Sequence, residues 1–177
     1  ERAYEYADAE RRMMYSDEAD VINSLQQRIL SVSSNIEPYD VFICYKESDY
    51  DTGERTQDSV IAEDIYNELE KQGLKTFFAR ISLESVLGED YEPYIYAALR
   101  SAKVMLMVST TQAHCNAIWV KNEWSRYLGF MEEDKEKSII PVYKDMSPYE
   151  FPYELTKYQA QDMSKIGAIQ DLAAGVK

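Results

Sequence analysis

The chain has 177 residues, 45% of them apolar and 29% charged, and a formal net charge of −13. That suffices for one domain with its own core and a short appendage, and it excludes a disordered or fibrous chain. So acidic a surface is unsuited to indiscriminate nucleic-acid binding or to anionic membranes, so neither nucleic acid nor membrane is expected as a partner.

Residues 1–36 read as a helical extension. Ala3, Ala7, Met13 and Met14 suggest one helix. Ser16 can cap a second, with Val21, Ile22, Leu25 and Ile29 at helical spacing. Residues 31–35 read as a linker, closed by Pro38. The chain opens at Glu1 inside an amphipathic pattern without methionine, so a preceding segment of a longer protein is expected. A helical hairpin without a core of its own must pack on something.

Residues 37–177 read as one α/β domain. Residues 41–45 (VFICY) form a short continuous apolar run, the mark of a strand buried on both faces. A helix follows over 58–72, with Asp58 as its cap, Ile61, Ile65 and Leu69 as its stripe, and Gly73 as its end. Leu74–Phe78 is a second strand. The segment from Ala79 to Asp90 reads as a loop rich in apolar side chains, which marks a lid or binding surface. A short helix over 94–100, a strand over 104–108, a helix from Asn116 to about Met131 and a strand over 138–143 come next. Pro141 points to an edge or bulge there. Tyr158–Met163 and Ile166–Ala174 suggest a last strand and helix.

Strands alternating with helices predict a flavodoxin-like, doubly wound parallel sheet of five strands, preceded by the N-terminal helices. Such sheets bind ligands beyond the carboxyl ends of their strands, where the order reverses. With the order 2-1-3-4-5, that crevice lies between strands one and three. Tyr45 and Lys46 leave strand one there; the bland reading of Lys46 is a surface base.

On the helix after strand three, Val120, Trp124, Leu128 and Met131 form a core stripe. Trp119 and Glu123, four residues apart, share a neighbouring face rotated by about 100°. An aromatic plane one turn before a carboxylate can hold a flat ring and present an acid to it. The plainer reading is a half-buried Trp beside a solvated Glu.

Other chemistry is scarce. None of the six glycines is spaced as GxGxxG or GxxxxGK. Two cysteines and one histidine cannot make a four-ligand zinc site, so no metal is expected. His114 and Cys115 are adjacent, which suits loop or structural roles better than a catalytic pair. Cys44 reads as a small core residue, and two unpatterned cysteines fit a reducing, cytoplasmic setting.

These residues resemble a family. The segment Tyr39–Lys46 (YDVFICYK) is similar to the first-strand motif of Toll/interleukin-1 receptor (TIR) domains. The segment ending Leu87-Gly88-Glu89 resembles their BB loop, and Trp119-Val-Lys-Asn-Glu123-Trp124 their third-helix motif. Tyr158–Asp162 suits their last strand. The resemblance covers about Tyr39 to Lys177 and looks most like the bacterial branch.

It implies the TIR fold and two functions. One group of TIR domains cleaves NAD+ at the nicotinamide–ribose bond, releasing ADP-ribose or a cyclic isomer, in bacterial defence or signalling. Carried over, Glu123 is catalytic, Trp119 packs by the nicotinamide or ribose, Tyr45, Lys46 and Cys44 meet the nucleotide, and Leu87 and Gly88 lie near the site. Lys46 stands where many members have Arg and loses the bidentate fork. NAD+ is then the substrate, and no cofactor is expected. The other group only assembles with further TIR domains through the BB loop, here Arg80, Ile81, Leu83 and Val86. A phospho-acceptor or flavin-binding domain is a third, weaker reading, since no acidic cluster marks the end of strand one.

Overall fold

Val41, Phe42, Ile43 and Cys44 form β1 (Val41–Cys44) and are all buried. A continuous apolar run needs cover on both faces, and a parallel sheet between helix layers supplies it. In this computed structural model, which describes residues 20–24, 26–31, 34–88 and 91–177, β1 lies between β2 (Thr76–Phe77) and β3 (Val104–Ser109). β4 (Ser138–Tyr143) and β5 (Gln161–Asp162) complete the order β2-β1-β3-β4-β5. Every pairing is parallel, with Val41 opposite both Thr76 and Val104, Val104 opposite Ser138, and Val142 opposite Gln161. The expected doubly wound sheet is therefore present, with its reversal between β1 and β3.

The helices that follow β1 are α1 (Gln57–Lys71), α2 (Ala79–Ser82), α3 (Glu92–Ser101), α4 (Gln112–Cys115), α5 (Ile118–Glu133) and α6 (Ala168–Val176). Side chains alternate across the sheet, as strand geometry requires. Phe42, Cys44, Met105 and Met107 join Trp124 and Tyr127 in one core layer. Val41, Ile43, Tyr45, Leu106 and Val108 join Ile65, Leu69 and Leu172 in the other. Neighbouring residues of β1 thus face opposite sides of the molecule.

Several boundaries differ from the sequence reading. Thr56, not Asp58, caps α1: its hydroxyl accepts from the Ser59 amide at 3.2 Å and donates to the Lys46 carbonyl. Asp58 instead turns inward and is fully buried. Asn116 does not cap α5 either; it closes α4, and Ala117 precedes α5 without a side-chain cap. The expected loop after β2 contains α2 and a 3-10 turn, Glu84–Val86. β2 and β5 are two residues each, shorter than expected. Pro141 pairs with Met107 of β3, and β5 reaches only Val142 and Tyr143, so Pro141 sits where that side of β4 is uncovered.

In the N-terminal extension, Ala3, Ala7, Met13, Met14, Ser16 and Leu25 lie outside the described residues. Residues 20–24 and 26–31 are helical, and so are Ser34 and Asn35, where a linker was expected. Val21, Ile22 and Leu30 are exposed there, whereas Ile29 is half-buried. None of the described helices is long and apolar enough to cross a membrane.

Candidate active site

The site is built on α5. Val120, Trp124 and Tyr127 bury the inner face of this helix, with Leu128 and Met131 packed partly against the same core. Two hydrogen bonds fix its rotation. Trp124 Nε1 donates to the Cys115 carbonyl at 2.9 Å, and the Tyr127 hydroxyl donates to the Ala102 carbonyl at 3.0 Å. A helix held this way presents its next face, at positions i, i+3, i+4 and i+7, to whatever packs beside it.

That face carries Trp119, Asn122, Glu123 and Arg126, and it lines a cavity of about 550 Å³. Phe130, Glu132 and Glu133 extend the α5 wall. The opposite wall comes from α3, through Glu92, Ile95, Tyr96 and Leu99. Ile29 of the N-terminal helix also reaches it, so part of the extension packs against the domain here. Trp119 is 60% exposed, with its ring free to meet a ligand.

Glu123 is half-buried, and among the described residues no cation lies within 4 Å of its carboxylate. Burial pushes its pKa up to about 7, against which the Cys44 thiol and the Arg126 guanidinium act. Cys44 belongs to the same side of β1 as α5, and its thiol donates to the Val120 carbonyl at 3.6 Å. Burial, then the charge of Glu123, holds this thiol well above its ordinary pKa. Cys44 is therefore a protonated neighbour of the carboxylate rather than a nucleophile. Arg126 lies over the Tyr96 ring at 5.8 Å, and Tyr96 meets Phe130 edge-on, their centroids 5.8 Å apart.

The other residues named from sequence lie elsewhere. Strand alternation sends Tyr45 to the face opposite Cys44, where its ring packs 5.1 Å from Phe78 and its hydroxyl accepts from the Arg80 amide at 3.3 Å. Burial raises its pKa. Lys46 gives its carbonyl to the Thr56 cap. Neither lines this cavity, nor do Leu87 and Gly88.

Leu87 is 85% exposed, and Gly88 takes a left-handed φ of 85°, a conformation that favours glycine. Of the expected interaction residues, Arg80 pairs with Glu47. Ile81 and Leu83 pack inward against the two core layers, and Val86 is half-buried. Leu87 is thus the apolar side chain this segment offers to solvent.

One polar cluster was not foreseen. Asp58 Oδ1 accepts from the Thr110 amide at 2.9 Å and from its hydroxyl at 2.6 Å, while Asp58 Oδ2 lies 2.7 Å from His114 Nδ1. The signal was available: Asp58 stands three residues before Ile61, on the apolar stripe of its helix. Asn122 and Arg126 were likewise readable as sharing the face of Trp119 and Glu123.

Comparison with known proteins agrees with the fold. A family model described as TIR domain matches residues 41–174. No curated protein matches the chain. Among solved structures, 17 chains match. One is described as the structure of a metazoan TIR-STING receptor from C. gigas, 17% identical with a TM-score of 0.55. The match covers 78% of this chain and 40% of that one, so this chain corresponds to less than half of the receptor's length. At that identity the likeness concerns the fold alone. The five-stranded sheet, its order and the span of the family match together place this chain in the TIR-domain family.

Proposed function

We propose that this TIR domain is an NAD+ nucleosidase, with NAD+ as substrate and Glu123 as its catalytic residue. The observation that carries the reading is the half-buried Glu123 carboxylate, free of any described ion pair, beside an exposed Trp119 in one cavity. The nicotinamide of NAD+ leaves as a neutral base, so its departure needs no general acid. The C–N bond breaks with its electron pair moving to the ring nitrogen, and the ribose develops oxocarbenium character. A carboxylate in a partly desolvated cavity stabilises that positive charge more strongly than one in water. Trp119 stacks against the flat nicotinamide. Water then forms the new bond to the anomeric carbon and gives its proton to Glu123 and on to solvent, yielding ADP-ribose. Attack by the adenine of the same molecule gives the cyclic isomer instead. Tyr45, Lys46, Leu87 and Gly88 then contact the nucleotide only if it extends beyond this cavity toward the end of β1. The free, buried Cys44 and Cys115 fit a reducing compartment and a cytoplasmic setting.

A role in assembly stands beside this reading, supported by Leu87, which is 85% exposed next to the left-handed Gly88. The two roles are compatible, because Leu87 does not line the cavity of Glu123. The test is incubation of the full chain with NAD+ across a range of protein concentrations, with products resolved by chromatography. Nicotinamide and ADP-ribose, linear or cyclic, are the expected products. Their absence at every concentration would leave only the assembly role.

A further inference from the structure

We infer that Arg126 recognises the diphosphate of the dinucleotide and sets a preference for NAD+ over its phosphate-free fragment, nicotinamide riboside. The inference rests on the function proposed above.

The resemblance to TIR domains implies that Lys46 meets the nucleotide, but Lys46 does not line the cavity that holds Trp119 and Glu123. Arg126 is the one cation among the described residues that do. Glu92, Glu123, Glu132 and Glu133 line the same cavity, yet none lies within 4 Å of the Arg126 guanidinium, and no described acceptor takes its hydrogen bonds. The guanidinium rests over Tyr96, 5.8 Å from the ring centroid. Stacking on an aromatic face leaves the planar edges, with their five donors, free for a bidentate anion.

Arg126 follows Glu123 by three residues, so their Cβ atoms are about 5–6 Å apart on one helix face. That is the reach of one ribose, from its anomeric carbon to its 5′-phosphate. With the anomeric carbon at Glu123, the phosphate of the nicotinamide ribose falls at Arg126. The carboxylates of Glu123, Glu132 and Glu133 disfavour an anion elsewhere in the cavity, so the same arrangement that admits the diphosphate also orients the sugar.

The experiment compares cleavage of NAD+ and of nicotinamide riboside by the full chain and by the Arg126→Ala and Arg126→Lys variants. Thermal denaturation confirms that each is folded. Arg126→Ala is expected to lower kcat/KM for NAD+ by about ten- to a hundredfold, mainly through KM, as loss of a charge-assisted hydrogen-bond pair predicts. The riboside loses far less, so the preference for NAD+ collapses. Arg126→Lys, which keeps the charge without the fork, falls between. Equal losses on both substrates, or no loss on NAD+, would overturn the inference.

Calorimetric titration with NAD+ separates this from the proposed function. Tight NAD+ binding that depends on Arg126, without turnover, would sink the nucleosidase reading and uphold the recognition role. Binding indifferent to Arg126, or no binding at all, would sink the recognition role.

Discussion

Asp58 Oδ2 lies 2.7 Å from His114 Nδ1, tying the first turn of α1 to α4 across the carboxyl ends of β1 and β3. Its second oxygen holds the Thr110 amide and hydroxyl. Asp58 is fully buried, so its removal leaves buried donors without an acceptor. Asp58→Ala is expected to cost about 2–4 kcal/mol, lowering Tm by about 4–16 °C in a domain of this size. Thermal denaturation checks this. A Tm within a degree of the parent protein would show that the cluster contributes little.

With the proposed function, Glu123 couples activity to stability through pH. Its folded pKa is raised to about 7 by burial, above its ordinary value of 4.5. Between these values the folded protein binds more protons than the unfolded chain, so stability falls as pH rises through the window. Above about 7 the full penalty applies. Glu123→Gln removes it and is expected to stabilise the protein by about 1–2 kcal/mol at pH 8 and by nearly nothing at pH 4, after allowance for partial exposure. The wild-type rate should rise with pH through about 7, where the carboxylate ionises. Denaturation curves at both pH values, with a pH–rate profile, test the two halves separately.

The two tryptophans of α5 should separate by role. Trp119 is 60% exposed, while Trp124 is buried and bonded to the Cys115 carbonyl. Trp119→Ala is expected to change stability by less than about 0.5 kcal/mol yet to raise KM for NAD+ severalfold. Trp124→Ala should cost about 3–5 kcal/mol through the cavity it leaves. A Trp119→Ala variant with unchanged kinetics would remove that side chain from the site.

Self-association should depend on Leu87. An exposed leucine beside a left-handed glycine is a natural contact point, whereas Ile81 and Leu83 are partly buried in the core layers. Leu87→Asp is expected to weaken assembly without lowering Tm, measured by sedimentation velocity at several concentrations. An unchanged sedimentation profile would place the contact elsewhere.

The sheet was legible because β1, β3 and β4 are nearly continuous apolar runs, and only two-sided burial explains such runs. β2 and β5 were misjudged in length because just two residues of each make ladder bonds. α2 was hidden because four residues carry too little periodicity to register. On α5, helical spacing alone put Trp119 and Glu123 on one face, and the structure gives that face a cavity. Tyr45 shows the opposite case. Its place with Lys46 at the end of strand one suggested the crevice between strands one and three, while strand alternation turns its side chain to the face opposite Cys44. Asp58 looked like a cap because it opens a helix; the apolar residues three and seven positions later already showed that its face points inward.

The most direct measurement is nicotinamide release from NAD+ by the full chain and by Glu123→Gln, at a protein concentration high enough for assembly and at pH 8. The account predicts release by the parent protein and a loss of at least about a hundredfold in the variant, which remains folded. Equal rates in the two proteins would contradict it.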